Sequence, residues 1–141
     1  MPLRLHAGGT TFSQSAPDPV LVGPVCAATM VSVAANASGG KRAIFHANPG
    51  HGTDIGDSIP PNGRASGTIR RSMDGGQTWQ ASVNITGHEA YSYSCLTKVP
   101  EAGYIGLAYE TVLPGSSLYN TSDASANNIV FTLIPQNFTN I

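Results

Sequence analysis

Charge is what this chain has least of. Seven basic and eight acidic residues make up 11% of 141 positions, for a net charge of −1, and the basic residues never form a run. That is less than half the usual share. Nothing here would grip a polyanionic backbone, which excludes nucleic acid as a partner. Cysteine is scarce as well. Cys26 and Cys95 make no disulfide framework, and two buried free thiols are expected. No window keeps an apolar stripe at i, i+3, i+4, i+7 beyond a turn or two, so a long helix is excluded. The most apolar stretch, Val20 to Ala35, is broken by Gly23, Pro24, Thr29 and Ser32. It reads as a buried strand, and no transmembrane segment is expected. The opening Met1-Pro-Leu-Arg-Leu-His-Ala-Gly-Gly9 lacks the apolar core of a secretory signal. His6, His46, His51 and His88 have no metal-ligand spacing with the cysteines or with a carboxylate cluster, so no metal and no cofactor are expected. Asp54 and Asp57 fit no calcium loop. Ser94, His88 and Asp74 can be drawn as a triad, but no Gly-x-Ser-x-Gly elbow supports it.

Turn formers, by contrast, are plentiful: 16 glycines and 10 prolines among many Val, Ile, Thr and Ser residues. This favours one turn-dense, all-β domain. Residues 72–79, Ser-Met-Asp-Gly-Gly-Gln-Thr-Trp, fit the Ser/Thr-x-Asp-x-Gly-x-Thr-Trp pattern called the Asp box. Asp74 can bond backbone N–H groups two residues on, Gly75 and Gly76 tolerate positive φ, and Thr78 adds a second local bond. Trp79 then buries an aromatic against the turn. Gly67–Ser72 alternates like a strand and Gln80–Val83 can return as another, so the box knots a hairpin tip. Ser72, Asp74, Gly76, Thr78 and Trp79 are therefore expected to be structural.

Leu5–Phe12 reads as a worn copy of the box, keeping Gly9, Thr11 and an aromatic at Phe12. The two copies lie 67 residues apart, a spacing that suits propeller blades with an insertion. Between them, a Pro-rich lead-in at 16–19 precedes strands near 26–33 and 42–46, then a long polar loop over 48–63. Loops of that length are usually functional or disordered. Tyr93–Val99 and Tyr104–Tyr109 form a hairpin across Pro100–Gly103, and Asn128–Ile134 makes a last strand. Arg70 and Arg71 read as surface or edge charges.

Arg64-Ala-Ser-Gly-Thr-Ile-Arg-Arg-Ser-Met-Asp-Gly-Gly-Gln-Thr-Trp79, then Tyr93-Ser-Cys-Leu96, then Tyr104-Ile-Gly-Leu-Ala-Tyr-Glu110, resembles the C-terminal part of the exo-α-sialidase (neuraminidase) family, whose Asp boxes are also called BNR repeats. Pro17-Asp-Pro19 and Phe45-His-Ala-Asn-Pro49 resemble its preceding segment. The resemblance implies a six-bladed β-propeller of four-stranded antiparallel blades. Residues 1–15 would end an upstream blade, 16–88 would form a blade carrying the Asp box at 72–79, and 89–141 the last blade and closing strand. It also implies retaining hydrolysis of terminal α-linked sialic acids on glycans.

Arg64 matches the third arginine of the family's carboxylate-binding triad. Taken alone it reads as a solvated residue closing a Gly/Pro loop, yet its planar, always charged fork suits a carboxylate. Tyr93 matches the nucleophile, the Tyr exception among glycosidases. A carboxylate nucleophile would be repelled by the substrate's own carboxylate, and a Tyr polarised by a Glu brings less charge. Its plain alternative is a packing aromatic of a strand. Tyr91, two residues earlier on the same face, is a rival, and Tyr93 is preferred because it directly precedes Ser94-Cys-Leu96. Glu110 matches the acid that aligns the first arginine, and otherwise is a strand-end carboxylate.

The family also needs an acid/base Asp, a Glu that activates the Tyr and two further arginines, all upstream of residue 1 in the resemblance. Glu89, Glu101 and Arg4 are in the wrong segments to replace them. A Tyr near its ordinary pKa of about 10 is a poor nucleophile at neutral pH. The isolated 141-residue chain is therefore expected to be inactive, with the missing part of the propeller as a partner. Two alternatives stay open: a non-catalytic Asp-box propeller binding glycan or protein, and a truncated structural remnant. Sequons at Asn36, Asn84, Asn120 and Asn137 lean toward a secreted, lysosomal or membrane-associated setting.

Overall fold

The computed structural model describes residues 5–6, 11–12, 16–24, 26–34, 42–50, 64–87, 89–101, 103–112 and 127–139. The 51–63 part of the long loop, His88, and the sequons at Asn36 and Asn120 lie outside them. Every regular element among the described residues is a strand. The first two, β1 (Leu5–His6) and β2 (Thr11–Phe12), pair antiparallel with Leu5 opposite Phe12.

Four further strands make an antiparallel sheet in the order β3-β4-β5-β6: β3 (Thr29–Ala34), β4 (Arg42–Pro49), β5 (Gly67–Ser72) and β6 (Ala81–Asn84). A second antiparallel sheet has the order β7-β8-β9: β7 (Ser94–Lys98), β8 (Tyr104–Val112) and β9 (Asn127–Pro135). Because side chains alternate along a strand, each sheet sorts its residues by face. Val31, Val33, Ala43, Phe45, Ala47, Ile69 and Val83 lie on one face of the four-stranded sheet. They share one apolar core with Leu96, Ile105, Leu107 and Ile134 of the second and with Phe138 beyond its last strand. The Thr29 hydroxyl accepts a bond from the Leu96 N–H at 3.0 Å and joins the sheets at their β3 and β7 edges.

The Asp box turn is held by its own side chains. Gly75 and Gly76 sit at φ 77° and 82°, where an L side chain is strained. Asp74 reaches farther than the expected two residues. Its Oδ1 accepts from Gln77 N and Thr78 N at 2.9 Å, three and four residues on. The nearer work falls to Ser72, whose Oγ accepts from Gly76 N at 2.8 Å and donates to Asp74 Oδ1 at 2.8 Å. The Thr78 hydroxyl donates to Asp74 Oδ2. These bonds hold the Asp74 carboxyl well below the ordinary carboxylate range, the Thr78 hydroxyl contributing most. Half-buried Trp79 sets its ring 5.8 Å from that of His46.

Arg70 and Arg71 are not surface charges. β5 is an interior strand, and Arg70 is only 4% exposed on the face away from the shared core. There it pairs across the ladder with His46, and its Nη1 donates to Asn48 Oδ1 at 3.0 Å. Asn48 in turn donates to Val22 O at 3.1 Å. Arg71 points the other way. Its Nη1 donates to Gln136 O at 2.7 Å and its Cζ lies 5.5 Å from the Phe138 ring centroid, tying β5 to the turn after β9. The thiols differ from expectation too: both are free, but Cys26 is half-buried and Cys95 exposed.

Candidate active site

A short crossover brings the three sequence-selected residues together. Arg64 lies just before β5, and residues 64–66 pair with 89–91. Ser66 N donates to Glu89 O and Tyr91 N to Arg64 O, both at 3.0 Å, around an Ala65–Ala90 bridge. The chain then runs on to β7 and pairs with the end of β8 that carries Glu110. Thr111 secures the junction by donating its hydroxyl to Ala90 O at 2.8 Å. One segment, residues 89–93, therefore links the start of β5 to the end of β8.

Two residues of that segment bond to one on β8. Ser92 N donates to Glu110 O at 3.0 Å, and Glu110 N donates to Tyr93 O at 2.9 Å. This two-against-one arrangement is that of a β-bulge, which re-aims side chains. Its result is that Tyr91 and Tyr93 do not share a face. Tyr91 is completely buried, stacked on Tyr109 with centroids 5.1 Å apart, whereas Tyr93 is 46% exposed. Burial pushes the Tyr91 hydroxyl up to about 12. Ser94 draws it partly back, although the two hydroxyls do not meet in hydrogen-bond geometry. The Tyr109 hydroxyl is also raised, by burial and then by the charge of Glu89. Tyr93 alone of these three tyrosines is an exposed group.

The Arg64 guanidinium lies over the Tyr93 ring, Cζ to centroid 5.0 Å, and Nη1 makes a long bond of 3.3 Å to Ser92 Oγ. A cation over an aromatic face is attracted by the ring quadrupole. Arg64 and Tyr93 thus meet through one ring contact, and the Glu110 backbone joins them through one bond to Tyr93 and one to Ser92. Ser72, Asp74, Gly76, Thr78 and Trp79 form the turn at the opposite end of β5.

Sequence reasoning missed two things here. One is Ser92, whose only signal is its place beside Tyr93. The other is the buried polar face of His46, Asn48 and Arg70, signalled by polar residues at alternate positions of β4. Burial, then the charge of Arg70, brings the His46 pKa down to about 4, with Asp18 opposing. Among the described residues no three His, Cys, Asp or Glu side chains come together as a metal site. Nor is any helix long and apolar enough to cross a membrane.

No protein-family model and no curated protein matches the chain. Among solved structures it is similar to one described as the Hadza microbial sialidase Hz136, with 26% identity and a TM-score of 0.64. The match covers 94% of this chain but 22% of that one, so this chain spans under a quarter of the sialidase's length. Its all-β architecture of antiparallel four- and three-stranded sheets is a sialidase-like fold.

Proposed function

We propose that the chain is part of the catalytic propeller of a retaining exo-α-sialidase. The propeller would have six blades, with residues 1–15 ending one, 16–88 forming the next and 89–141 the last. The observation that carries the reading is the placement of the Arg64 guanidinium 5.0 Å over the ring of half-exposed Tyr93, itself backbone-bonded to Glu110. An always charged fork beside an exposed phenol suits a substrate that has a carboxylate on its reacting carbon.

In this mechanism Arg64 clamps the sialate carboxylate and Tyr93 Oη attacks the anomeric carbon. Tyr93 loses its proton to a Glu, while an Asp protonates the departing glycosidic oxygen. Water then displaces Tyr93 and gives up a proton to the same Asp, while the Glu returns its proton to the departing Tyr93 oxygen, releasing sialic acid with its configuration retained. The Asp, the Glu and two more arginines would come from the rest of the propeller, and Glu110 would align one of those arginines. The partners are then sialylated glycans and the remaining blades.

A chimera tests the reading. This chain replaces the matching segment of the Hadza sialidase, and turnover of an aryl sialoside is followed. Activity is expected, falling by roughly 10³-fold or more with Tyr93→Phe. A Tyr93→Phe chimera as fast as its parent sinks the assignment. Binding of sialic acid without turnover points to the non-catalytic alternative.

A further inference from the structure

We infer that Ser92 is a positioning residue, acting through Arg64 and fixing its guanidinium for an anionic ligand; this rests on the carboxylate-clamp reading of Arg64. A guanidinium binds a carboxylate in two parallel bonds only when its plane is set beforehand, because a long side chain loses rotamer freedom on binding. In this chain Ser92 Oγ holds Nη1 at 3.3 Å and the Tyr93 ring lies against the guanidinium at 5.0 Å. The holder is itself held. Ser92 is 2% exposed, and its N–H is bound to Glu110 O. The next N–H back along the chain, from Tyr91, is bound to Arg64 O at 3.0 Å. The backbone of Arg64 and the anchor for its head group are therefore one rigid unit.

The bulge opposite Glu110 is what makes this possible. Plain alternation would put Tyr91 and Tyr93 on one face and Ser92 on the other. Instead, buried Ser92 and exposed Tyr93, adjacent in sequence, both contact the same guanidinium. A hydroxyl at a buried site has a desolvation cost that Ala would avoid, and the bond to Arg64 offsets it. The Ser92 hydroxyl meets the Arg64 head group and its N–H the Glu110 carbonyl. Its effect runs through the direction of the Arg64 fork.

The test uses NMR of the Arg64 guanidinium in the 141-residue chain and titration of free sialic acid into the chimera, which supplies the two further arginines. In the parent, the Arg64 Nη1 protons should be slow to exchange and show contacts to the Tyr93 ring protons. Ser92→Ala should erase both features while leaving the melting curve cooperative, and should weaken sialic acid binding about fivefold, the worth of one modest hydrogen bond. Ser92→Thr, which keeps the hydroxyl, should restore the Arg64 signals. If Thr fails to fold, a double-mutant cycle decides. In an Arg64→Ala background, Ser92→Ala should change affinity no further. Unchanged Arg64 signals in Ser92→Ala, or equal losses of affinity in both backgrounds, overturn the inference. Ordered Arg64 signals together with a chimera that has no affinity for sialic acid would instead overturn the carboxylate-clamp reading and leave the positioning role standing.

Discussion

His46 sets the pH response at the scale of single residues. Its ring is buried beside Arg70 and Trp79, with Nδ1 lacking a hydrogen-bond partner, and its pKa is about 4 against an ordinary 6.5. Between those values the unfolded chain takes up a proton that the folded one refuses. Stability is therefore full above about 6.5 and falls as the pH drops toward 4, by about 3 kcal/mol in all. Asp18 is the acidic group facing it, and lies lower than an ordinary carboxylate. Burial raises it, but the Val20 and Leu21 N–H groups outweigh that. Loss from Asp18 and Asp74 belongs below the His46 window, since both carboxyls are depressed from 3.8. Urea unfolding at pH 7, 5.5 and 4.5 should show the decline, and His46→Asn should flatten it. A parent equally stable at all three pH values contradicts the account. At the turn, Asp74→Ala should lower the melting temperature more than Asp74→Asn, because an amide oxygen still accepts the Gln77 and Thr78 N–H groups.

Individual strands explain what was legible in the sequence. Alternation and turn residues suffice to place β5 over 67–72, and Gly75-Gly76 suffices for the turn beyond it. Alternation does not say which strands are interior. Two adjacent arginines on β5 read as edge charges, yet β4 and β6 flank them and each serves a different face. Period two also carries no bulge, so the opposite fates of Tyr91 and Tyr93 could not be read from their spacing. The motif beginning at Tyr93 selected the exposed one for another reason. β4 runs three residues past the expected end at His46 because Asn48 and Pro49 still pair with Thr68 and Gly67. Gly67 gives a prediction at this scale. A Cβ there would stand 2.1 Å from the Tyr91 ring, which cannot retreat from a fully buried site. Gly67→Ala should cost about 1–3 kcal/mol or more through overpacking, readable as a lower denaturation midpoint. Gly67→Ala with Tyr91→Leu should recover part of the loss. No recovery would mean that the two residues do not compete for space.

For the molecule as a whole, the outer face of the three-stranded sheet dominates. Ile129, Phe131 and Leu133 alternate on edge strand β9 and are 79%, 59% and 40% exposed. Contiguous apolar surface along an unpaired edge promotes association. Among the described residues, the other sheet carries His46, Asn48 and Arg70 on its face away from the shared core. The 141-residue chain should therefore scatter light increasingly with concentration, and Ile129→Thr with Phe131→Lys should suppress this without lowering the melting temperature. A parent that remains monomeric at high concentration would show that this face is protected.

The Asp box turn also bears on how the protein ages. Asp74-Gly75 is, among aspartyl dipeptides, of the kind most open to isoaspartate formation, in which the following backbone nitrogen attacks the side-chain carboxyl carbon and water is lost. That attack proceeds best on a protonated, freely rotating carboxyl group. Here the carboxyl is kept ionised and pinned by Ser72, Gln77 and Thr78. The same bonds that shape the turn thus slow its chemical decay, and the clock at this site runs mainly while the hairpin is open.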